Sequence, residues 1–173
     1  QASLDAGDDA VTNVLDDLIP DISLSPSTSL AVEVPVSTTS VSTTSFVPPH
    51  YQVFALGDSV MKGAAPALAD LGIVVDAVQD RQGKMGADIF IQLQDLGVTM
   101  DAVVIHLGTN GPMSQKTLDS MMDAVAGVPR VVILTGKANR GWTDDNNKKI
   151  RALPSAYPNV VVLDWELLAT LCE

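Results

Sequence analysis

A serine that could act as a nucleophile stands where a predicted strand ends. It belongs to Gly57-Asp58-Ser59, which directly follows the apolar run Val53-Phe54-Ala55-Leu56. In an open parallel sheet, residues at the carboxyl ends of the strands line the crevice where ligands bind. A second apolar run ends in His106-Leu107-Gly108-Thr109-Asn110-Gly111, which adds an amide side chain. The two motifs in this order indicate acyl-transfer chemistry at Ser59.

Short apolar runs alternate with helical patterns from residue 51 onward. Because the runs are apolar rather than alternating, they predict strands that are covered on both faces. These strands are expected at 52–56, 73–77, 102–107, 130–135 and 160–163. Helices are expected at 64–71, 87–96, 114–126 and from 143 to just before Pro154, the first two ending at Gly72 and Gly97. Five such units predict an α/β fold with a doubly wound parallel sheet.

Four loops would meet at the carboxyl edge of that sheet. They contain a nucleophile, small residues with free backbone N–H groups, an amide and basic or aromatic side chains. The loops are Asp58-Ser59, 80–83, 108–111 and 137–142. We expect this edge to hold the functional site.

The charge distribution separates the first fifty residues from the rest. The net charge is −11, and residues 1–50 contain seven acidic residues without any Lys or Arg. Without a basic stripe to neutralise phosphates, nucleic acid is not an expected partner. The single cysteine, Cys172, can form neither an internal disulfide nor a metal site. No apolar run approaches the roughly 18–20 residues that a membrane helix needs.

The first fifty residues predict an arm in two parts. For residues 1–19 we expect an acidic segment with a short helix around Val11, Val14, Leu15 and Leu18, at spacings of three and four. Residues 20–50 are rich in Ser, Thr and Pro and bury too little apolar area to offset the entropy of ordering. We therefore expect a disordered linker there, followed by a folded domain over 51–173.

The motifs resemble the SGNH hydrolase superfamily, also called the GDSL esterases. The first block of that family matches Gly57-Asp58-Ser59, and its Gly-x-Asn block matches Gly108-Thr109-Asn110. Its glycine block matches Gly83, with Gly86 as the alternative. The resemblance implies a three-layer, flavodoxin-like sandwich without a cofactor or a metal. It also implies that Ser59 is the nucleophile, and that the Ser59 and Gly83 N–H groups and the Asn110 amide form the oxyanion hole.

Within this superfamily, the chain is most similar to the extracytoplasmic SGNH-like domains of bacterial membrane acyltransferases. Those proteins resemble O-acetylases that modify peptidoglycan or surface polysaccharide. This resemblance implies an acyl donor, a glycan acceptor, an upstream membrane domain in the same chain and a place outside the cytoplasmic membrane. Within the 80–83 and 137–142 loops, Arg81, Asn139, Arg140 and Trp142 are the expected substrate contacts, because Trp stacks on sugars and Arg pairs with anions. A solvated loop anchored by Trp142 is an equal alternative.

The chain departs from the family at its last block, Asp-x-x-His, which supplies the acid and the base. No histidine follows His106. We expect the chain to stop before that block, so that these residues alone are inactive and poorly soluble. A non-catalytic glycan-binding module is the alternative function, whereas a stand-alone lipase is disfavoured by the linker.

Several of these residues also have a plain structural interpretation. Ser59 would then cap the following helix, with Asp58 ordering the turn through hydrogen bonds. His106 is expected to be a packed, hydrogen-bonded residue rather than a base. Asp164, at the end of the fifth strand, could either orient a ligand or form a turn.

Overall fold

Five parallel strands form one sheet in the part of the chain that the structure describes. The structure is a computed structural model, and it describes residues 14–18 and 47–171. The order across the sheet is β2-β1-β3-β4-β5. The strands are β1 His50–Gly57, β2 Val74–Ala77, β3 Thr99–His106, β4 Arg130–Leu134 and β5 Val160–Leu163. The parallel α/β sheet expected from the apolar runs is confirmed.

Four helices connect the strands at nearly the predicted places, and one further helix lies at each end of the described chain. The helices are α1 Val14–Leu18, α2 Ser59–Ala69, α3 Gly86–Asp95, α4 Gln115–Ala124, α5 Thr143–Ala152 and α6 Trp165–Leu168. Short 3-10 turns cover Gly83–Met85, Leu153–Ser155 and Ala169–Leu171. The largest difference is α2, which begins at Ser59 instead of residue 64 because Asp58 caps it. Gly72 and Gly97 follow α2 and α3 with φ values of +76° and +77°, the left-handed geometry that glycine allows after a helix.

The side chains of β1 show how the layers are arranged. Phe54 and Leu56 enter the larger core, which also receives the buried faces of α3, α4 and α5. Ala55 points to the opposite face, where Met61 and Ala65 of α2 cover it. The sheet therefore lies between two helical layers, the sandwich that the resemblance implied.

The α2 side of the sheet is covered only in part. Val104, Leu134 and Leu163 on neighbouring strands line an apolar groove of about 230 Å³ together with residues of α2 and Trp165. On β5, which lies at the edge of the sheet, Val161 is 55% exposed. Apolar sheet surface thus faces solvent in the described part of the chain.

The N-terminal arm is described only at α1. Val14 is 1% exposed and belongs to the larger core, and Leu15 and Leu18 pack against it. The rest of the predicted acidic helix and most of the predicted linker, residues 1–13 and 19–46, lie outside the described residues, as does Cys172. The end of the predicted linker differs, since His50 is already the first residue of β1.

Candidate active site

The turn from β1 to α2 presents the side chain of Ser59. Asp58 occupies the N-cap position, and its carboxylate accepts the Val60 N–H over 3.1 Å. Ser59 is half-buried, and no hydrogen bond to its hydroxyl occurs among the described residues. The helix-cap alternative therefore applies to Asp58 and not to Ser59. A side chain at Gly57 would come within 2.7 Å of Met61 Cγ, so the close fit of strand and helix requires glycine there.

Asp58 is buried and holds the turn against the end of β3. It accepts a hydrogen bond from the Thr109 hydroxyl over 2.7 Å, and its own backbone N–H donates to the His106 carbonyl over 3.1 Å. Burial raises the pKa of Asp58, but the contacts with His106, Thr109 and the Val60 N–H outweigh it, so the pKa lies below its usual value. Asp58 is thus an ionised anchor for the turn, as expected.

His106 is packed beneath the turn. It is 2% exposed, and its Nδ1 lies 3.4 Å from Asp58 Oδ1. Neither ring nitrogen has a hydrogen-bond partner of good geometry among the described residues. The expected packing of His106 is confirmed, whereas the expected hydrogen bond is replaced by this longer contact. The other histidine, His50, lies at the opposite edge of the sheet, beside Asp101.

Arg81 lies beneath the site rather than in the cleft. Its side chain is 6% exposed and forms an ion pair with the buried Asp76. The same guanidinium donates to the Asp76 carbonyl over 2.7 Å and to the Gly57 carbonyl over 3.1 Å. These internal contacts suit a positioning role better than the substrate contact expected from the sequence.

The β2 and β3 loops meet through Asn110. Its Nδ2 donates to the Arg81 carbonyl over 3.3 Å, two residues before Gly83. Gly83 is buried at the start of a 3-10 turn, where a Cβ would come within 2.7 Å of Met113 Cγ. The predicted Asn110 and glycine blocks therefore lie on two loops that are hydrogen-bonded to each other.

An open cleft of about 350 Å³ lies beside these loops. Its lining residues are Asp80, Gln82, Thr109, Asn110, Arg140 and Trp142. Asn139 is exposed, and neither it nor Ser59 lines the cleft. The cleft thus combines amide groups, an exposed guanidinium and an indole.

Two bacterial proteins are similar to this chain in sequence. The chain is 31% identical over 116 residues to peptidoglycan O-acetyltransferase OatA of Listeria monocytogenes. It is 23% identical over 116 residues to YrhL of Bacillus subtilis, a candidate peptidoglycan O-acetyltransferase. Each match covers 66% of this chain and 18% of the relative, so the chain spans about a fifth of their length.

Solved structures share the fold. The C-terminal catalytic domain of Streptococcus pneumoniae OatA, solved with a methylsulfonyl adduct, superposes with a TM-score of 0.60 at 23% identity, covering 70% of this chain and 73% of that one. A candidate acylhydrolase from Bacteroides fragilis superposes with a TM-score of 0.52 at 15% identity, covering 70% of this chain and 73% of that one. The described part of this chain therefore has an SGNH-type fold. No protein-family model matches it.

Two residues that hydrogen-bond the loops of the candidate site were not identified from the sequence. Asn146 and Asn147 are buried and hydrogen-bond the β3 and β4 loops. The buried positions of α5 are 143, 146, 147 and 150, a helical core stripe that holds one aliphatic side chain. Polar residues on such a stripe need hydrogen-bond partners, and that was the missed signal.

Asp164 has a structural role at the end of β5. It caps α6 and accepts two hydrogen bonds from Arg151, over 2.9 and 3.0 Å, and one from Thr135 over 2.9 Å. The hydrogen bonds from Arg151 lower the pKa of Asp164 to about 2. Of the two interpretations of Asp164, the structural turn accounts for these contacts.

The described residues contain neither a helix that could span a membrane nor a cluster of metal ligands. None of the described helices is both long and apolar enough to cross a bilayer. Within 14–18 and 47–171, His, Cys, Asp and Glu do not gather in groups of three that could hold a metal ion.

Proposed function

We propose that this domain performs serine acyl transfer, as O-acetyl transfer or ester hydrolysis on a cell-wall or surface polysaccharide. The observation that carries the proposal is the Ser59 hydroxyl, which is accessible at the start of α2 because Asp58 has taken over the capping role. The 31% identity to OatA of Listeria monocytogenes, a peptidoglycan O-acetyltransferase by name, supports the same chemistry.

In the proposed reaction, the oxygen of Ser59 attacks the carbonyl carbon of an acyl ester. The negatively charged oxygen of the tetrahedral intermediate accepts hydrogen bonds from the Ser59 N–H, the Gly83 N–H and Asn110 Nδ2. Asn110 uses one N–H for the Arg81 carbonyl and retains the other for this purpose. Collapse of the intermediate leaves the acyl group on Ser59 and expels the alcohol, which takes up the proton that the base removed from Ser59. A sugar hydroxyl or water then accepts it.

Ser59 needs a base to remove its proton. We assign that base to a residue outside the described part of the chain. His50 lies at the amino-terminal end of β1, at the opposite end of the strand from Ser59. His106 is buried against Asp58 and makes no hydrogen bond to Ser59. The described residues would then supply the nucleophile and the oxyanion donors.

The glycan would occupy the cleft beside Asn110. Trp142 would stack on a sugar face, and the exposed Arg140, with Asn139 nearby, would attract a carboxylate or hydrogen-bond the sugar. We propose that Arg81 positions the turn instead of touching the glycan.

The proposed setting is the outer face of a bacterial cell membrane. The curated relatives are about five times longer than the matched region, which leaves room for an upstream membrane acyltransferase domain. The Ser/Thr/Pro-rich residues 20–49 would serve as the linker to that domain.

A serine-directed sulfonyl fluoride tests the catalytic proposal in the protein that carries this chain. We expect covalent labelling of Ser59, loss of labelling and of ester hydrolysis in Ser59→Ala, and a fall of about 10²- to 10³-fold in kcat for Asn110→Ala. The variant His106→Gln should keep labelling. Loss of labelling in a folded His106→Gln protein would instead make His106 the base, and a protein unlabelled at Ser59 would contradict the enzymatic function.

The second candidate is a non-catalytic glycan-binding module. It is favoured by the absence of a base hydrogen-bonded to Ser59 among the described residues, together with the Arg140 and Trp142 cleft. Calorimetry with soluble peptidoglycan fragments separates the two functions. Binding that is lost in Trp142→Ala, in a protein that Ser59-directed reagents never label, would favour the module.

A further inference from the structure

Two consecutive asparagines lie on the buried face of α5, at the carboxyl edge of the sheet. Asn146 is 2% exposed and Asn147 is 1% exposed. Each amide uses both its oxygen and its nitrogen for hydrogen bonds to backbone groups, and every one of those groups belongs to a loop of the candidate site. Burying an amide without partners is costly, so this complete pairing fixes the loops against α5.

Asn146 holds both sides of Asn110. Its Nδ2 donates to the Gly108 carbonyl and to the Gly111 carbonyl, each over 3.0 Å. Its Oδ1 accepts the Met113 N–H over 2.7 Å. The proposed oxyanion donor therefore sits between two anchored carbonyls, and the anchor is a single side chain outside the loop.

Asn147 holds the other loop near its start. Its Nδ2 donates to the Gly136 carbonyl, and its Oδ1 accepts the Gly136 N–H, both over 2.8 Å. Gly136 is the second residue of the loop that carries Arg140 and Trp142. This reciprocal pair of hydrogen bonds resembles the pairing between adjacent β-strands, and it fixes the position at which the loop leaves β4.

The division between the two loops follows from helix geometry. Consecutive residues of an α-helix point about 100° apart, so neighbouring side chains reach different targets. We propose that Asn146 and Asn147 are positioning residues with separate tasks: Asn146 orients the oxyanion loop and Asn147 orients the glycan-binding loop. This inference rests on the proposed function for what the two loops do.

The matched variants are Asn146→Asp and Asn147→Asp, which preserve shape but replace the N–H donors with an acceptor. Asn146→Asp should lower kcat for ester hydrolysis at least ~10-fold with KM kept, because a small displacement of the donor weakens the transition-state contact. Asn147→Asp should raise KM for the glycan acceptor at least ~10-fold with kcat kept. A general loss of packing would not split the two parameters in this way.

Amide hydrogen exchange provides a readout that needs no catalysis. We expect faster exchange over 108–113 in Asn146→Asp and over 136–142 in Asn147→Asp, each with the other loop unchanged. If an Asp variant fails to fold, the Ser variants at the same positions should give the same pattern.

Acceleration of both loops together in each variant, or of neither, would overturn the division of tasks. A wild-type protein that hydrolyses no ester and is not labelled at Ser59 would refute the proposed function alone, and the exchange pattern would still decide the roles of the two asparagines.

Discussion

Arg81 donates a hydrogen bond from its guanidinium to the carbonyl of Gly57, over 3.1 Å, although the two residues are 24 positions apart. The same side chain pairs with Asp76 on β2, and the Arg81 carbonyl accepts the amide of Asn110. One buried residue thus links the nucleophile turn, the β2 strand and the proposed oxyanion donor.

Replacing Arg81 with Met should destabilise the fold strongly. The change leaves the Asp76 carboxylate buried without the guanidinium, and breaking a buried pair in this way costs about 3–5 kcal/mol. Urea denaturation at neutral pH measures the loss. The double variant Arg81→Met with Asp76→Asn should recover a large part of it, because no charge remains buried. A loss below about 1 kcal/mol for Arg81→Met would mean that the pair is not buried in solution.

The two interpretations of Arg81 show what a loop sequence leaves open. The sequence places Arg81 at the carboxyl edge of the sheet, as expected for a ligand-binding cation. The direction of its side chain, however, depends on Asp76. That aspartate interrupts the apolar strand Val74–Ala77, and it is 1% exposed. An acidic residue inside a buried strand requires a cationic or hydrogen-bonding partner, and Arg81 is the cation five residues later.

The elements themselves were easier to predict than their contacts. Strands are determined locally by runs of apolar residues, and helix ends by glycines that adopt a left-handed conformation. The predicted and observed bounds of most elements therefore agree within a few residues. The α2 start was missed because capping by Asp58 also depends on Thr109, a residue from another strand's loop. Asn146 and Asn147 depend on loops that reach them from more than ten residues away.

Gly83 is required for packing, so its replacement should be rescued by a smaller neighbour. Gly83→Ala places a Cβ within 2.7 Å of Met113 Cγ, inside the core, and such overpacking costs about 1–3 kcal/mol. In the double variant with Met113→Ala, urea denaturation should show a loss at least about 1 kcal/mol smaller than the sum of the single losses.

The control is Gly63→Ala in α2, where nothing lies within 4 Å of the new Cβ. It should stabilise by about 0.5–1 kcal/mol. Additive losses at Gly83 and Met113 would contradict the contact.

Acid should weaken the attachment of α6 through Asp164. The pKa of Asp164 is lowered to about 2 in the folded chain, mainly by hydrogen bonds from Arg151, and is about 3.9 when unfolded. Its contribution is therefore complete above about pH 4 and is lost as the pH falls toward 2. Because 35% of the side chain is exposed, solvent screening keeps this contribution below about 1 kcal/mol.

Denaturation between pH 2 and 5 measures this contribution. Asp164→Asn and Arg151→Gln should each flatten the pH dependence in that window, and the double variant should flatten it no further. A slope that is unchanged in Asp164→Asn would assign the acid sensitivity of this window to other carboxylates, such as Asp58.

A lysine should change the free energy of unfolding by very different amounts at two neighbouring residues of β5. Val161 is 55% exposed on the partly covered face, whereas Val162 packs against the larger core. Val161→Lys should change the free energy of unfolding by less than about 0.5 kcal/mol and reduce self-association, since a lysine on an edge strand opposes strand pairing. Val162→Lys should cost at least about 2 kcal/mol, because it forces an ammonium group toward apolar side chains. Urea denaturation and concentration-dependent light scattering measure the two effects. Equal destabilisation by both lysines would show that the Val161 face is covered in solution, and scattering across a dilution series would show whether a second copy covers it.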